Sequence, residues 1–482
     1  MKCFYPLRFL SAFLFFHLGA VYADNLSLDS FIQIVKEKNQ SYLASKESLE
    51  HLEKKLEMND LELSPFLMAD MGMQDDRTVK MLPSFMGTRT KTDLAASLGF
   101  AKKFSTGTSV QLKQEYRDYT VFGMAALPDN PPHREPILSL ALSQDLWKNI
   151  LGRGTFLRRA REKLQNAGEI KAEEYKMKNL LSEAETQYWN WLFKTEEVKT
   201  RKLSLDRAKR IRSWFGKRKE SGLSNSTDVL QSEALVLSRE ISLKNSESEL
   251  KAIEAEIKNT LGQDSDLENK PVDDFEKPRP RDFLQAQEQN NPEKIREYYR
   301  PDYALSLIEA KARRMAEEEI ADNLAASLTL EAKLSSQSMN ADAGASFSQM
   351  ASFDYPTWGV GLRWSLNLDR SALSRIREQA RAESVAAEMR ARQMGLSSQT
   401  AATEIIRAHR ELVERVEQVS RLKGIQQNKL KSEEDRFRNG RSTTFQVVQF
   451  EQDAADAELL YLQLAIEARK LESKTQIFFK GL

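Results

Sequence analysis

Apolar positions along this chain recur with two different periods, and the period changes at definite points. From Leu28 to about Leu63 they follow helical spacing within a charged sequence, and Pro65, which lacks the N–H a helix needs to continue, ends the run. The next residues alternate: Leu67, Ala69, Met71 and Met73 stand against Met68, Asp70 and Gly72, the period of a strand with unlike faces. Leu94 to Phe104 and Thr108 to Tyr119 continue in weaker alternation around the turn sequence Ser105-Thr106-Gly107, and Leu138, Leu140 and Leu142 then alternate with Ser139, Ala141 and Ser143. From about Thr155 to Glu220 the spacing is helical again with no proline, which predicts one helix of roughly 100 Å, far longer than an ordinary globular helix.

That helix stops at KESGLSNSTDVLQSE, where Gly222 can take the positive φ of a helix end and the Ser, Thr and Asn residues after it can cap the next helix. The same punctuation returns 218 residues later, at FRNGRSTTFQVVQFEQ: Val229, Gln231 and Glu233 follow Gly222 at the distances at which Val447, Gln449 and Glu451 follow Gly440. Each stretch reads as the tip of a helical hairpin. Beyond the first tip, Val229, Val236, Leu243, Leu250 and Ile257 recur every seven residues up to Leu261-Gly262, the seam of a coiled coil. Beyond the second, Phe450, Ala457, Leu464, Leu471 and Phe478 do the same, with Val447, Ala454, Tyr461 and Ala468 beside them.

Between the two halves lies a Pro-, Asp-, Glu-, Lys- and Gln-rich stretch, 263–299, read as a linker or equatorial piece. The second half then repeats the first. A helix from Pro301 to about Ala325 leads to SLTLEAKL, with Leu328, Leu330, Ala332 and Leu334 on one face, and to TWGVGLRWSLNL, where Trp358, Val360, Leu362, Trp364 and Leu366 oppose Gly359, Gly361, Arg363, Ser365 and Asn367. An apolar face with aromatics against a polar one is what a barrel strand between lipid and water requires. A second very long helix, from about Ser371 to Phe437, completes an internal duplication of helix, strands, long helix, tip and shorter helix.

Composition narrows the picture. The 482 residues carry 72 Lys and Arg against 71 Asp and Glu, which argues against a general nucleic-acid binder. Mean hydropathy is −0.56, and no later stretch approaches the apolar length of a transmembrane helix. The start, MKCFYPLRFLSAFLFFHLGAVYADN, has a basic, then apolar, then small-residue order that predicts a signal peptide over 1–23 cleaved after Ala23. The one cysteine, Cys3, precedes the apolar run, so the mature chain is expected to have no disulfide and no lipoprotein acylation site. His17, His51, His133 and His409 are scattered without metal-ligand spacing, and Gly152-Arg-Gly154 lacks the flanks of a phosphate loop and reads as a strand-to-helix turn. No enzyme, cofactor or metal is implied.

The whole mature chain resembles the TolC-like outer-membrane efflux proteins, the outer membrane factors. Several family features stand in order: Arg300-Pro301-Asp302-Tyr303 opening the second half, Ser143-Gln144-Asp145-Leu146-Trp147 leading from strand to long helix, Gly222 with Thr227-Asp228-Val229-Leu230, and Leu261-Gly262 closing the first half. The resemblance implies a mainly α protein with membrane β-barrel strands. Its repeats would be 24–262 and 300–482, assembled as a homotrimer with one shared barrel in outer-membrane lipid and a long α-helical coiled-coil barrel reaching into the periplasm of a Gram-negative cell. Its partners would be a periplasmic adaptor protein and an inner-membrane transporter of the RND, ABC or MFS type, in tripartite efflux or type I secretion. About 80 residues separate the helices in the first half and about 40 in the second. About four membrane-crossing strands per chain are expected, twelve or so in a trimer, rather than the six that would give about eighteen.

By the same resemblance, the periplasmic constriction falls at Gln446 and Gln449, where the family has acidic rings; neutral glutamines put strong cation selectivity in doubt. Thr227 and Asp228 match one side of the family's gate network. On the other side Phe437 replaces a tyrosine and Ser442 an arginine, so packing is expected to hold the tip unless Arg441, one residue along, takes over the latch. The tips Gly222-Leu223-Ser224 and Gly440-Arg441-Ser442 are where an adaptor would dock. Lys199 to Ser221 holds ten basic residues against Asp206 and Glu220, a charged helix face or a preference for anionic solutes or an acidic partner. The rival from another class is a periplasmic coiled-coil structural or adaptor protein with a soluble strand sandwich.

Overall fold

The structure is a computed structural model and describes residues 25–58, 61–80, 88–122, 132–221, 225–262, 270–276, 298–439 and 441–480. The expected signal segment, the tip residues Gly222, Leu223, Ser224 and Gly440, and most of the 263–299 stretch lie outside these residues. Contacts group into two compact units, one drawn from 1–44, 178–291 and 404–477, the other from 45–177, 292–403 and 478–482.

The first unit is helical. It holds β1 (Asn25–Leu26), α1 (Leu28–Lys38), the later part of α3 (Arg153–Glu220), α4 (Ser226–Leu261), β6 (Lys270–Pro271), the later part of α7 (Arg370–Arg438) and α8 (Thr444–Lys474). One helix was expected from Leu28 to about Leu63, but the structure has two, α1 and α2 (Gln40–Met58). Asn39 makes the break: extended at ψ 118°, it donates from Nδ2 to the Thr260 carbonyl at 2.9 Å and accepts from the Tyr42 N–H at 3.0 Å. A helix interior would deny the side chain both bonds. Phe31, Tyr188, Trp189 and Trp191 form the core at this end, with Ile257 and Leu261 from the predicted seam of α4. Tyr188 donates to the Asp273 carboxylate at 2.5 Å, and burial together with that acceptor pushes its phenol well above the ordinary range. The predicted α8 column Val447, Ala454, Tyr461 and Ala468 is buried throughout its length.

The second unit carries the sheet: β2 (Phe66–Lys80), β3 (Thr88–Lys103), β4 (Thr108–Phe122), β5 (His133–Asp145), β8 (Ser327–Gln337) and β9 (Pro356–Ser365), antiparallel in that order. Six strands, not the expected four, join one sheet. The weakly alternating pair β3 and β4 is fully paired, joined by the turn at Gly107 (φ +75°), and it extends the sheet by a complete hairpin. A short pairing of β7 (Tyr298–Tyr299) with β10 (Phe479–Lys480), the helix α5 (Pro301–Asn323), a short helix α6 (Ala343–Ala351) between β8 and β9, and the first parts of α3 and α7 complete the unit.

Pairing aligns side chains across all six strands. Leu67, Phe100, Leu112, Leu140, Leu334 and Trp358 are successive partners in one row, and the row nearer the helices continues it with Val110, Leu142, Ala332 and Val360. The neighbouring row on the opposite face reads Met68, Gly99, Lys113, Ser139, Ser335 and Thr357. The sheet thus has one apolar and one largely polar face, and the apolar one is uncovered: Leu67 is 70%, Leu140 44% and Trp358 77% exposed. Where β5 passes into α3, Gly152 sits at φ +81° with room for nothing more, since a Cβ there would fall 1.6 Å from the Ser105 carbonyl oxygen. Asn149 caps α3 by accepting from the Thr155 N–H at 2.9 Å, and its own N–H donates to Asp322 of α5 at 3.0 Å. The predicted strand-to-helix turn is there, held by those contacts.

Candidate functional site

The candidate site is the hairpin end of the first unit, where α3 and α4 meet α7 and α8. Asn225 opens α4 with a capping box: its N–H donates to the Asp228 carboxylate at 3.1 Å, as an aspartate at the third helical position allows. Thr443 opens α8 the same way, with Gln446 as its reciprocal partner. The other oxygen of Asp228 accepts from the Thr444 hydroxyl at 2.8 Å, a bond from the second hairpin to the first. Asp228 is therefore placed where the sequence expected a link, but its partner is Thr444, not Ser442 or Arg441. The Ser442 hydroxyl bonds Glu433 and lies 3.2 Å from Gln446 Oε1, a contact internal to the second hairpin. Thr227 and Arg441 are exposed, and among the described residues neither side chain has a hydrogen bond or ion pair.

Phe437 is 4% exposed. Its ring meets Trp214 edge-on at 4.5 Å and Phe215 at 5.0 Å, the Arg218 guanidinium lies over it at 5.3 Å, and Ile211, Leu235 and Val447 belong to the same cluster. Aromatic pairs in such tilted contact contribute about 0.5–1.5 kcal/mol each beyond the area they bury. At Phe437 the two hairpins are thus joined by packing. Gln446 and Gln449 both lie on the exposed face of α8, one turn apart; Gln449 Nε2 donates to Asp453 at 2.9 Å, one turn further on.

The charged run on α3 divides into two parts. Lys202, Lys209 and Arg212 pair with Glu247, Glu240 and Glu233, acids at seven-residue spacing on α4, so these cations zip the first hairpin together. Arg207, Arg210, Trp214 and Lys217 instead line, with Glu434 and Arg438 of α7, a groove of about 310 Å3 between the hairpins. Further along, Glu197 accepts from Lys194 at 2.8 Å and from Arg201 at 2.7 Å. Burial alone would raise its carboxyl, but the two cations outweigh that and hold it below the ordinary 4.5. The unfolded chain therefore binds the proton more readily, and the stabilisation is complete above the ordinary value and lost as pH falls through the depressed one. Thermal melts from about pH 5 to about pH 3 should show the native protein losing more stability than Glu197→Gln.

The residue that sequence reasoning missed is Glu451, noted only as the register partner of Glu233. Glu233 pairs with Arg212 at the surface, whereas Glu451 is fully buried. Its carboxylate accepts from Arg239 Nη2 of α4 at 2.6 Å, from Ser204 Oγ of α3 at 2.6 Å, and from Arg207 Nε of α3 at 3.5 Å. One side chain of the second hairpin is clasped by both helices of the first. Glu451 is also an acid eleven residues past a hairpin glycine, beside the apolar seam, and that position was the only sign in the sequence.

No family model and no curated protein matches the sequence. Solved structures do match. The outer membrane protein VceC from the bacterial pathogen Vibrio cholerae aligns over 94% of this chain and 96% of its own, with 13% identity and a TM-score of 0.66. The Campylobacter jejuni CmeC outer membrane channel aligns over 92% of this chain and 84% of its own, with 13% identity and a TM-score of 0.63. The open state of the Neisseria gonorrhoeae MtrE outer membrane channel aligns over 93% and 88%, with 12% identity and a TM-score of 0.60. The likeness at these identities is one of fold.

Proposed function

We infer, from the TolC-type outer-membrane channel fold that this chain shares with those structures, that it is a subunit of an efflux channel in the outer membrane of a Gram-negative cell. The observation that carries this is the apolar row crossing all six strands, Leu67 to Trp358, left uncovered on a sheet whose other face is polar. Soluble proteins rarely leave so continuous an apolar face bare, whereas a strand between lipid and a water-filled lumen requires one. The sheet also ends in two free edges, β2 and β9. Edges cannot stand in hydrocarbon, so copies join β9 to β2, and three of them close a ring of about eighteen strands.

In this reading the helices form the periplasmic duct, and solutes move through it passively while an inner-membrane transporter, joined through a periplasmic adaptor at the tips, supplies the energy. Opening the tip means separating the second hairpin from the first. The contacts to be given up are the Thr444–Asp228 bond and the packing of Phe437, together with the Glu451 clasp. Thr444→Val, nearly isosteric, removes the first, and Asp228→Ala removes it together with the capping bond to Asn225. Each is expected to raise the closed-state conductance in a planar bilayer by a few-fold, since a net hydrogen bond to a charged group contributes about 1.5–3 kcal/mol, less where it is partly solvated. With glutamines at 446 and 449, the reversal potential in a salt gradient is expected to show weak ion preference.

The deciding experiment is the protein mass of the detergent-extracted particle, followed by its conductance. A trimer that conducts supports the channel. A stable monomer that leaves membranes with a carbonate wash overturns it in favour of a periplasmic coiled-coil protein.

A further inference from the structure

The apolar face of the sheet gives way to polar residues at the end away from the long helices. Leu138 pairs with Gln114 and Ser336, the next row reads Met71, Ala96, Tyr116 and Pro136 with Ser338 beside it, and beyond that row stand Asp118 and Arg134. α6 lies over that boundary. Its serine side faces the sheet: Ser336 Oγ donates to the Met350 carbonyl at 2.8 Å, Ser346 Oγ donates to the Arg134 carbonyl at 2.7 Å, and Ser338 bonds Gln349 Oε1 at 3.0 Å. Phe347 stacks on Tyr116, with ring centroids 5.6 Å apart and planes 11° apart, and keeps its outer side open. The chain leaving the helix exposes Phe353, Tyr355 and Trp358 in turn. Phe353 is held at φ +55°, a conformation bulky residues rarely accept, in a segment that leaves its ring in the open.

Phe347 on α6 and Phe353 and Tyr355 just after it are exposed, although this stretch is tied to the sheet through Ser336, Ser338 and Ser346. We propose that α6 and the segment to β9 form an interfacial strap that seats Phe347, Phe353 and Tyr355 at the headgroup level of the lipid leaflet facing away from the helices. The inference rests on the membrane reading of the sheet. Its occupant is a lipid surface because the strap is continuous with the apolar band, and because its aromatics stand where that band gives way to polar residues, the position that aromatic girdles occupy on membrane barrels. The strap fixes how deep this edge of the barrel sits, as short amphipathic helices do in the interface plane.

The test uses the full chain, whose one cysteine lies at position 3, outside the expected mature protein. Single cysteines at Ser348→Cys on the exposed side of α6, Val360→Cys on the apolar face and Gly361→Cys on the polar face would carry nitroxide spin labels. Gly361 has open space around its Cβ position. The protein is reconstituted in phospholipid vesicles, and collisions of each label with oxygen and with a water-soluble nickel chelate are compared. The oxygen-to-nickel ratio is expected to be highest at 360 and lowest at 361. At 348 it should be several-fold above 361, and it should fall toward 361 when Phe347→Ser and Tyr355→Ser are added. A ratio at 348 equal to that at 361, with 360 still oxygen-rich, overturns the strap and leaves the barrel intact. A nickel-accessible label at 360 overturns the membrane reading itself.

Discussion

Glu451→Ala is expected to destabilise the helical unit by about 3–5 kcal/mol, because it leaves Arg239 buried without its anion. Arg239 is already imperfectly satisfied: its Nε is buried with no hydrogen-bond partner among the described residues. Taking away the carboxylate would leave the guanidinium with the neutral Gln452 Oε1, at 2.6 Å, in place of an anion, and Ser204 would lose its acceptor as well. Helical ellipticity followed through heat or denaturant would read the loss. Glu451→Gln, which keeps an acceptor oxygen but no charge, should fall between the native protein and alanine. The double change Glu451→Leu with Arg239→Met should recover most of the stability, since an apolar pair of similar volume removes the desolvation cost of both ions. If the double variant is as unstable as Glu451→Ala, the clasp is not an ion pair in balance, and the burial argument fails. The same double variant separates fold from gating. A channel that is stable but leaky would mean that the clasp, beyond holding helices together, opposes separation of the hairpins.

A charge placed on the apolar face should be nearly as costly as the loss of that clasp. Leu140→Arg puts a guanidinium midway along the row from Leu67 to Trp358, and an arginine near the bilayer midplane of a membrane barrel costs about 2–4 kcal/mol. Ala141→Arg, the next residue on the same strand, faces the polar side beside Gln111 and Lys333 and should change membrane assembly little. The amount of each variant recovered in the outer-membrane fraction, as heat-modifiable trimer, tests the pair. Equal recovery of both would mean the two faces see the same solvent, which a barrel wall forbids.

Much of this architecture was legible in the chain, and the reason differs from element to element. β5, β8 and β9 were read from strict alternation, because a strand whose two faces meet different surroundings keeps opposite characters on them at every step. β3 and β4 alternate less cleanly, since Lys102 and Gln114 stand at apolar-face positions near Val110 and Leu138. The expectation of four strands undervalued them for that reason. Whether a weak strand joins a sheet depends on its partners, and their pairing is a property of no single segment. α6 escaped notice because nine residues of mostly small side chains carry no helical stripe; the sheet beneath it supplies the hydrogen bonds that hold it.

At the tip, the capping boxes at Asn225 and Thr443 were implicit in the Ser, Thr and Asn residues after each glycine. The choice of Thr444 as partner of Asp228 was not, because a threonine inside a first helical turn looks the same whether or not a carboxylate from 216 residues away meets it. Glu451 shows the limit most clearly. An acid on a charged helix reads as solvated, and only the approach of Arg239 and Ser204 from two other helices makes burial tolerable.

The amino-acid sequence by itself determined the periods, and with them the long helices, the hairpin breaks, the alternating strands and their apolar face, because these follow from local backbone preference and from which side chains tolerate water. The tertiary structure alone decided that six strands share one sheet, that a short helix is hydrogen-bonded to it, and that a buried glutamate ties one hairpin to the other, because pairing and burial depend on groups far apart in the chain arriving at the same place.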